Sequence, residues 1–289
     1  MGTSDVLERA AEFTWKNARL FDRRRFEYHF EGGPAAAIVT ALRAYQNDDG
    51  GFGHALEADL RAPTSTPIFV EIALHALAES GAHQPELLSR VVAFLSSVSS
   101  PEGTVACAVP AALEYPRAAH WTPDFALTPG LNPTASIAGL LHRLEVEDEW
   151  LERATAWCLA RIEQGNVGSA HTIRCAFTLL ESLPDRRRAD ALLEPMAKEL
   201  ARADFFTLDV PVTQYTLTPL HFATAPGSYG GRLFGSSVIE AHLDDLVRRQ
   251  QPDGGWPIHW EPPGPSAVQE WRGAWTLDAL LVLRAHGRI

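Results

Sequence analysis

Gln250-Gln-Pro-Asp253-Gly254-Gly255-Trp256 decides how this chain folds, because it has an echo far upstream in Gln46-Asn-Asp-Asp49-Gly50-Gly51-Phe52. Both segments read Gln-x-x-x-Gly-x-aromatic, both follow an amphipathic helical stretch, and both precede another. A short pattern that returns at a distance, each time between the same kinds of element, marks a repeat architecture.

Outward from these turns, the helical segments are of two kinds. Glu86–Val98 carries Leu87, Leu88, Val91, Val92 and Leu95 at helical spacing, and Trp150–Ile162, Ala189–Leu200 and Ser236–Arg249 behave similarly. Each keeps a polar face for water. Ser237 and Glu240 stand at the spacing of a capping box. Pro67–Leu77, Pro133–Leu144, Thr172–Leu183 and Trp271–Ala285 are instead apolar almost all round, the pattern of a helix buried on every side or lining a cavity. Pro67 and Pro133 fall in a first helical turn, where a missing N–H costs nothing. The two kinds alternate in five units starting near Pro34, Pro85, Glu149, Arg186 and Ser236, after a leading helix at Asp5–Arg19. Such alternation predicts inner helices around an axis, shielded by outer ones, with about eleven main helices. Three long turns, Gln46–Thr66, Ser99–Asn132 and Gln250–Gln269, hold much of the His, Trp, Pro and acidic content. Long loops on a rigid scaffold are where sites are commonly built.

Composition bounds the function. The chain has 289 residues, 46% hydrophobic and 21% charged, which favours a large core over disorder. Its net charge of −11 argues against non-specific nucleic-acid binding and against an anionic membrane surface. A small anionic ligand stays compatible, because a few local arginines suffice to hold one. Cys107, Cys158 and Cys175 form an odd, sparse set that fits a reducing compartment rather than a disulfide framework. Met1–Lys16 is charged throughout and lacks the apolar core of a signal peptide, and no run is long enough to span a bilayer. The expectation is a cytoplasmic protein without a membrane span, its oligomeric state left open.

The Gln-x-x-x-Gly-x-(Trp/Phe) turns resemble the repeat shared by protein prenyltransferase β subunits and squalene-type terpene cyclases. There the repeat joins outer to inner helices. Where the fuller repeat has an aromatic before an aliphatic residue in the outer helix, this chain has Ala41-Leu42 and Asp245-Leu246. The resemblance implies an all-α fold, an α/α toroid of about five helix pairs plus an N-terminal helix, as one domain over residues 1–289. It also implies a small apolar ligand in the ring's centre, an isoprenoid or an isoprenoid diphosphate. The superfamily's catalytic signatures are not matched. There is no Asp-x-Asp-Asp acid motif, and Glu57-Ala-Asp59 comes closest. No Asp-x-Cys pair and no neighbouring Cys and His mark a zinc site, and Asp48-Asp49 and Asp244-Asp245 lack the third Asp of a metal-diphosphate motif. No metal and no cofactor is expected.

Acid-initiated cyclisation makes Glu57 or Asp59 the proton donor, within His54-Ala-Leu-Glu57-Ala-Asp59-Leu-Arg61. An ion pair with Arg61 at a helix start is the plainer reading of the same residues. His259, Trp260, Glu270, Trp271, Arg272 and Trp275 form the densest polar-aromatic cluster, and Trp271 and Trp275 share a helix face at i, i+4. Their faces suit a carbocation, or simply a core. Arg174 and Arg272 are cations on otherwise apolar helices, so each needs a partner: Glu181 or Asp278, or an anionic substrate group. Tyr215 lies in an irregular, proline-containing stretch with Gln214 and His221, suited to hydrogen-bonding a substrate. His120 and Trp121 sit in the longest loop, as a lid or a plug. Glu57, Asp59, His259, Trp260, Glu270 and Arg272 are expected to face one mouth. Prenyl transfer, a carbohydrate-active α/α barrel with paired carboxylates across a cleft, and a non-catalytic scaffold are the competing functions.

Overall fold

The computed structural model describes residues 3–289, so Met1 and Gly2 of the charged N-terminal stretch lie outside the described residues. In chain order the helices are α1 (Thr3–Asn17), α2 (Leu20–Phe26), α3 (Ala35–Arg43), α4 (Pro67–Ser80), α5 (Pro85–Val98) and α6 (Pro123–Leu127). They continue with α7 (Leu131–Arg143), α8 (Glu149–Glu163), α9 (Ala170–Ser182), α10 (Arg186–Leu200), α11 (Ser236–Arg248) and α12 (Pro265–Ala285). Among the described residues there are isolated bridges but no strand, and no helix long and apolar enough to cross a membrane. The chain gathers into two compact units, residues 39–204 and residues up to 38 with 205–289.

In the unit of residues 39–204, α4 packs on α7 and α7 on α9, while α5 packs on α8, α8 on α7 and α10 on α9. The helices expected to be inner thus form one layer, backed by those expected to be outer. Helix α7 is the most enclosed, with Pro133 to Leu141 buried without a break. Its regular turns begin at Pro133, since Asn132 is extended. Small residues let neighbours close in: a Cβ on Gly139 would lie 2.5 Å from Thr178 O of α9. Helix α4 departs from its all-apolar reading. Ile68, Glu71, Ile72 and His75 form a half-exposed stripe at helical spacing, opposite buried Phe69, Val70, Ala73 and Leu74.

In the other unit, α1 and α2 pack on α12, and so does α11. Val6, Ala10, Phe26, Leu243, Leu246, Trp256, Leu277, Leu280 and Leu283 make its core. Residues 201–235 contain only two short 3-10 turns, at Pro219–His221 and Gly230–Arg232. The fourth helix pair therefore lacks its inner member, and Pro211, Pro219 and Pro226 account for the irregular backbone. The expected capping box at α11 does not form. Gly235 is the N-cap, Ser237 is already inside the helix, and Glu240 Oε2 instead accepts from Arg288 Nη1 at 2.7 Å.

The two quoted turns fold alike. Gln46 Nε2 donates to Gly50 O at 3.0 Å, and Gln250 Nε2 to Gly254 O at 2.9 Å. Asp49 Oδ1 accepts from Gly51 N at 2.9 Å, and Asp253 Oδ1 from Gly255 N at 3.1 Å. Gly50 and Gly254 have φ of +90° and +91°, which glycine adopts without a steric cost. Each presses on a neighbouring helix. A Cβ at Gly50 would lie 2.3 Å from Arg90 O of α5, and one at Gly254 2.0 Å from Arg9 O of α1. The closing aromatics, Phe52 and Trp256, are wholly buried, and Trp256 Nε1 donates to Leu246 O at 2.7 Å. Each turn therefore ties the end of one amphipathic helix to another. Ser100-Pro-Glu-Gly103-Thr104 makes the same turn without the glutamine or the aromatic. Ser100 N donates to Thr104 O and Gly103 N to Ser100 O, both at 2.9 Å, and Gly103 presses on Ala154 of α8.

Candidate functional site

Glu57 and Asp59 lie on the loop that carries the first turn into α4. The loop begins with His54 and Ala55, both at φ +57°, a conformation that costs a non-glycine residue about 1–2 kcal/mol. Backbone bonds offset this strain, Ala55 N to Ala62 O at 3.0 Å and His54 N to Pro63 O at 3.3 Å. The long loop between α5 and α7 runs alongside, with Arg61 N donating to Pro116 O and Ala118 N to Asp59 O, both at 2.9 Å. The two long turns of this unit thus meet at the start of α4. Between them Glu57 is 8% and Asp59 2% exposed. His120 Nε2 stands 3.9 Å from Asp59 Oδ2. The His120 ring packs on Trp121, centroids 5.6 Å apart, and Trp121 on Phe125 at 5.5 Å. Partial burial holds His120 below the ordinary imidazole value, so it is neutral at pH 7. The buried Trp121 Nε1 has no hydrogen-bond partner among the described residues. His54 is turned outward, exposed, with Nε2 2.9 Å from Asn47 Oδ1. Arg61 is half-buried in the same loop.

A second polar group spans α4, α7 and α9; the sequence reading singled out its Arg174 but not Glu71 or Ser136. Glu71 of α4 hydrogen-bonds Ser136 of α7, and His75 Nε2 lies 3.9 Å from Glu71 Oε1. His171, Arg174 and Thr178 follow one another along one side of α9 at helical spacing. Burial raises the Glu71 carboxyl above its ordinary value, with Ser136 and then Arg174 opposing but not cancelling the effect. Burial drives His171 down to about 4, helped by Arg174 and His120. Arg174 itself is exposed and has no ion pair within 4.0 Å among the described residues. The carboxylates expected to pair with it are engaged elsewhere, Glu181 at 3.9 Å from Arg143 and Asp278 at 3.6 Å from Arg25. Cys107 and Cys175 border this group; burial raises both thiols and pushes Cys158 up to about 12, so all three are unreactive.

The remaining predicted residues belong to the other unit. Trp260 is the hub of an aromatic cluster, edge-on to Tyr215, Trp271 and Trp275 with centroids 5.1, 5.2 and 5.7 Å apart. His221 stands 5.6 Å from Trp275. Trp271 Nε1 and His259 Nε2 are buried without a hydrogen-bond partner among the described residues, and burial lowers the His259 pKa. Glu270 is half-buried at the head of α12. Arg272 is held within the structure. Its Nη1 and Nη2 reach Asp253 Oδ2 and Oδ1, each at 2.8 Å, its Nε donates to Trp256 O at 3.3 Å, and the guanidinium lies 4.6 Å from the Phe13 ring centre. It braces the second turn. An open surface depression of about 440 Å³ beside it is lined by Asp253, Pro257, Ile258 and Val268, away from the aromatic cluster. No group of three His, Cys, Asp or Glu side chains among the described residues is arranged to hold a metal.

No family model and no curated relative matches this chain. A solved structure of a variant of the type II terpene cyclase MstE from Scytonema, in complex with its substrate geranylgeranyl dihydroxybenzoate, matches with a TM-score of 0.53 at 14% identity, over 99% of this chain and 98% of that one. A second variant of that enzyme, with the same substrate, matches with a TM-score of 0.49 at 16% identity, over 96% and 98%. The first likeness shows the fold: this chain is built as an α/α toroid of the terpene-cyclase type, as its turns implied.

Proposed function

We propose that this protein binds an isoprenoid or similar apolar molecule and cyclises it by protonation, with Asp59 as the acid. The observation that carries this reading is the buried Asp59 carboxyl beside the neutral His120 ring, where two long loops meet at the head of α4. The terpene-cyclase fold supports the substrate class. In this reading the Asp59 carboxyl gives its proton to a carbon–carbon double bond, whose π electrons form the new C–H bond. A carbocation and the Asp59 carboxylate remain. A second double bond closes the ring, and loss of a proton from the cyclised cation makes the overall reaction an isomerisation. His120 returns a proton to Asp59 from solvent. Glu57, buried two residues away, keeps a second carboxyl in the loop. Trp260, Trp271 and Trp275, taken on their own, offer aromatic faces suited to a cation or a hydrocarbon wall.

Turnover and binding measured separately on Asp59→Asn test the acid. The variant removes the transferable proton and keeps the shape, so turnover is lost while affinity for the prenyl substrate stays within about threefold. Full activity in Asp59→Asn removes the assignment.

A further inference from the structure

The unit that holds residues 205–289 has polar atoms that the acid chemistry at Asp59 leaves unused. Trp260 stands edge-on to Tyr215, Trp271 and Trp275, and all four residues are half-buried rather than closed off. Two nitrogens at this cluster are buried without a hydrogen-bond partner among the described residues. One is Trp271 Nε1, on a ring that packs against Trp260; the other is His259 Nε2, on the residue before Trp260. Native structures pair nearly all buried polar atoms, because an unpaired one forfeits its hydration with nothing in return. Two at one aromatic cluster call for an oxygen that the chain does not supply. The indole N–H only donates, while an imidazole nitrogen donates or accepts, so a hydroxyl suits either. The cations nearby are already paired. Arg272 reaches both Asp253 oxygens at 2.8 Å, and Arg249 Nε lies 3.2 Å from Asp245 Oδ2. His259 is a neutral imidazole at pH 7, since burial lowers it. An anion would have to break one of these pairs, and a hydrocarbon would leave both nitrogens unpaired. The arrangement suits a neutral ring with C–H faces to lie on the aromatics and hydroxyls at its edge.

Tyr215 reaches the cluster on a loop built to move. The neck of this loop is closed by Thr207 N donating to Leu217 O at 3.0 Å and Leu217 N to Phe205 O at 2.8 Å. Leu217 is buried, and Phe206 packs on Phe222 and Phe234 with centroids 5.8 and 6.0 Å apart, so the neck is fixed. Beyond it Leu208 and Val210 are exposed, which gives the tip little buried surface to hold it down. Two long hydrogen bonds tie the tip to α11, His242 Nε2 to Leu208 O at 3.2 Å and Val212 N to Asp245 Oδ2 at 3.3 Å. We propose that the Trp260 cluster is a binding site for a neutral saturated ring bearing hydroxyl groups. Trp271 Nε1 and His259 Nε2 hydrogen-bond its oxygens, and Tyr215 is the gate that the loop lifts off Trp260 to admit it. Such a ring has two sources, a sugar or a hydroxylated cyclic hydrocarbon. The site stands or falls independently of the acid assigned to Asp59.

The experiment titrates the full-length, nitrogen-15-labelled protein with cyclohexanol, with methyl β-D-glucopyranoside and with cyclohexane, which has the ring without the oxygen. The readout is the set of indole N–H signals, in which Trp271 is identified by its loss in Trp271→Phe. A hydroxylated ring moves the Trp271 signal downfield and cyclohexane does not. Trp271→Phe keeps an aromatic ring and removes the donor, so it weakens binding of the hydroxylated ring roughly fivefold, as one neutral hydrogen bond gives, and leaves cyclohexane within about twofold. Tyr215→Ala takes away the contact that the ligand must displace and tightens binding by a similar factor; a gain of this kind does not come from a damaged fold. Tighter binding of the glucoside assigns the site to a sugar, and tighter binding of cyclohexanol to a hydroxylated hydrocarbon; either supports it. If neither hydroxylated ring shifts the Trp271 signal, the two nitrogens belong to ordered water and the site is overturned. An equal loss of cyclohexane and alcohol binding in Trp271→Phe overturns it as well, and unchanged or weaker binding in Tyr215→Ala overturns the gate.

Discussion

Replacing Gly50 with alanine tests whether the turns hold the helices in register as the structure has them. Two costs meet at this position. The backbone sits at φ +90°, where alanine loses about 1–2 kcal/mol. An alanine Cβ would also lie 2.3 Å from Arg90 O and 2.7 Å from the Arg90 carbonyl carbon, backbone atoms that cannot rotate away. Overpacking of that kind costs about 1–3 kcal/mol. Against both stands the loss of unfolded-state freedom, which returns about 0.4–1 kcal/mol. The sum is a destabilisation of about 3 kcal/mol. Gly81 is the control within the same unit. It closes α4 at φ +62°, but a Cβ there meets nothing within 4 Å, so Gly81→Ala carries the backbone cost alone, about 1 kcal/mol. Urea unfolding followed by circular dichroism separates them, because a gap of about 2 kcal/mol moves the midpoint by roughly 1 M at ordinary slopes. Equal midpoints for the two variants would refute the close approach of this turn to α5. Arg90 makes the same contact from the other side, its Nη2 donating to Asn47 O at 2.9 Å and Asp48 O at 3.1 Å.

Two further outcomes follow from the charged groups. His171 falls from 6.5 to about 4 on folding, so the unfolded chain takes up its proton first as the pH drops. Its contribution is fully present above pH 6.5 and is lost between 6.5 and 4, at most about 3 kcal/mol; the wild-type stability therefore declines over that window more than that of His171→Gln, and parallel curves would contradict the buried neutral imidazole. Arg272→Ala lowers thermal stability through the lost Asp253 pair and Phe13 contact, by about 1–2 kcal/mol, and leaves prenyl-ligand affinity unchanged; weaker binding at unchanged stability would make it a ligand residue.

The architecture was legible because helical period is a property of neighbouring residues. Ser236–Arg249 and Glu86–Val98 announce one buried face through Val238, Ile239, Leu243 and Leu246 or Leu87, Leu88, Val91 and Val92, and the start points near Pro85, Glu149, Arg186 and Ser236 match the helices. The turn at Ser100–Thr104 was hidden because its geometry depends on the backbone and on Gly103, not on the glutamine and aromatic that make the other two recognisable. The site was less legible, for a related reason. Glu71 is one carboxylate in a run of eight apolar residues, and its partners Ser136 and Arg174 come from helices far along the chain. His120 was visible as a loop residue, but nothing local places it against Asp59; that follows from Arg61 and Ala118 pairing the two loops. Arg272 was visible as a cation in need of a partner, but Asp253, which the fold brings to it from the turn motif, was not among the carboxylates weighed for it.

The most direct measurement is to incubate the protein with a linear isoprenoid in deuterium oxide and analyse the cyclic product by mass spectrometry and NMR. Protonation by Asp59, refilled from solvent through His120, predicts a product isomeric with the substrate that carries one deuterium on the carbon protonated first, and no product from Asp59→Asn. A cyclic product without solvent deuterium, or a bound substrate recovered unchanged from the wild type, would contradict proton-initiated cyclisation by this protein.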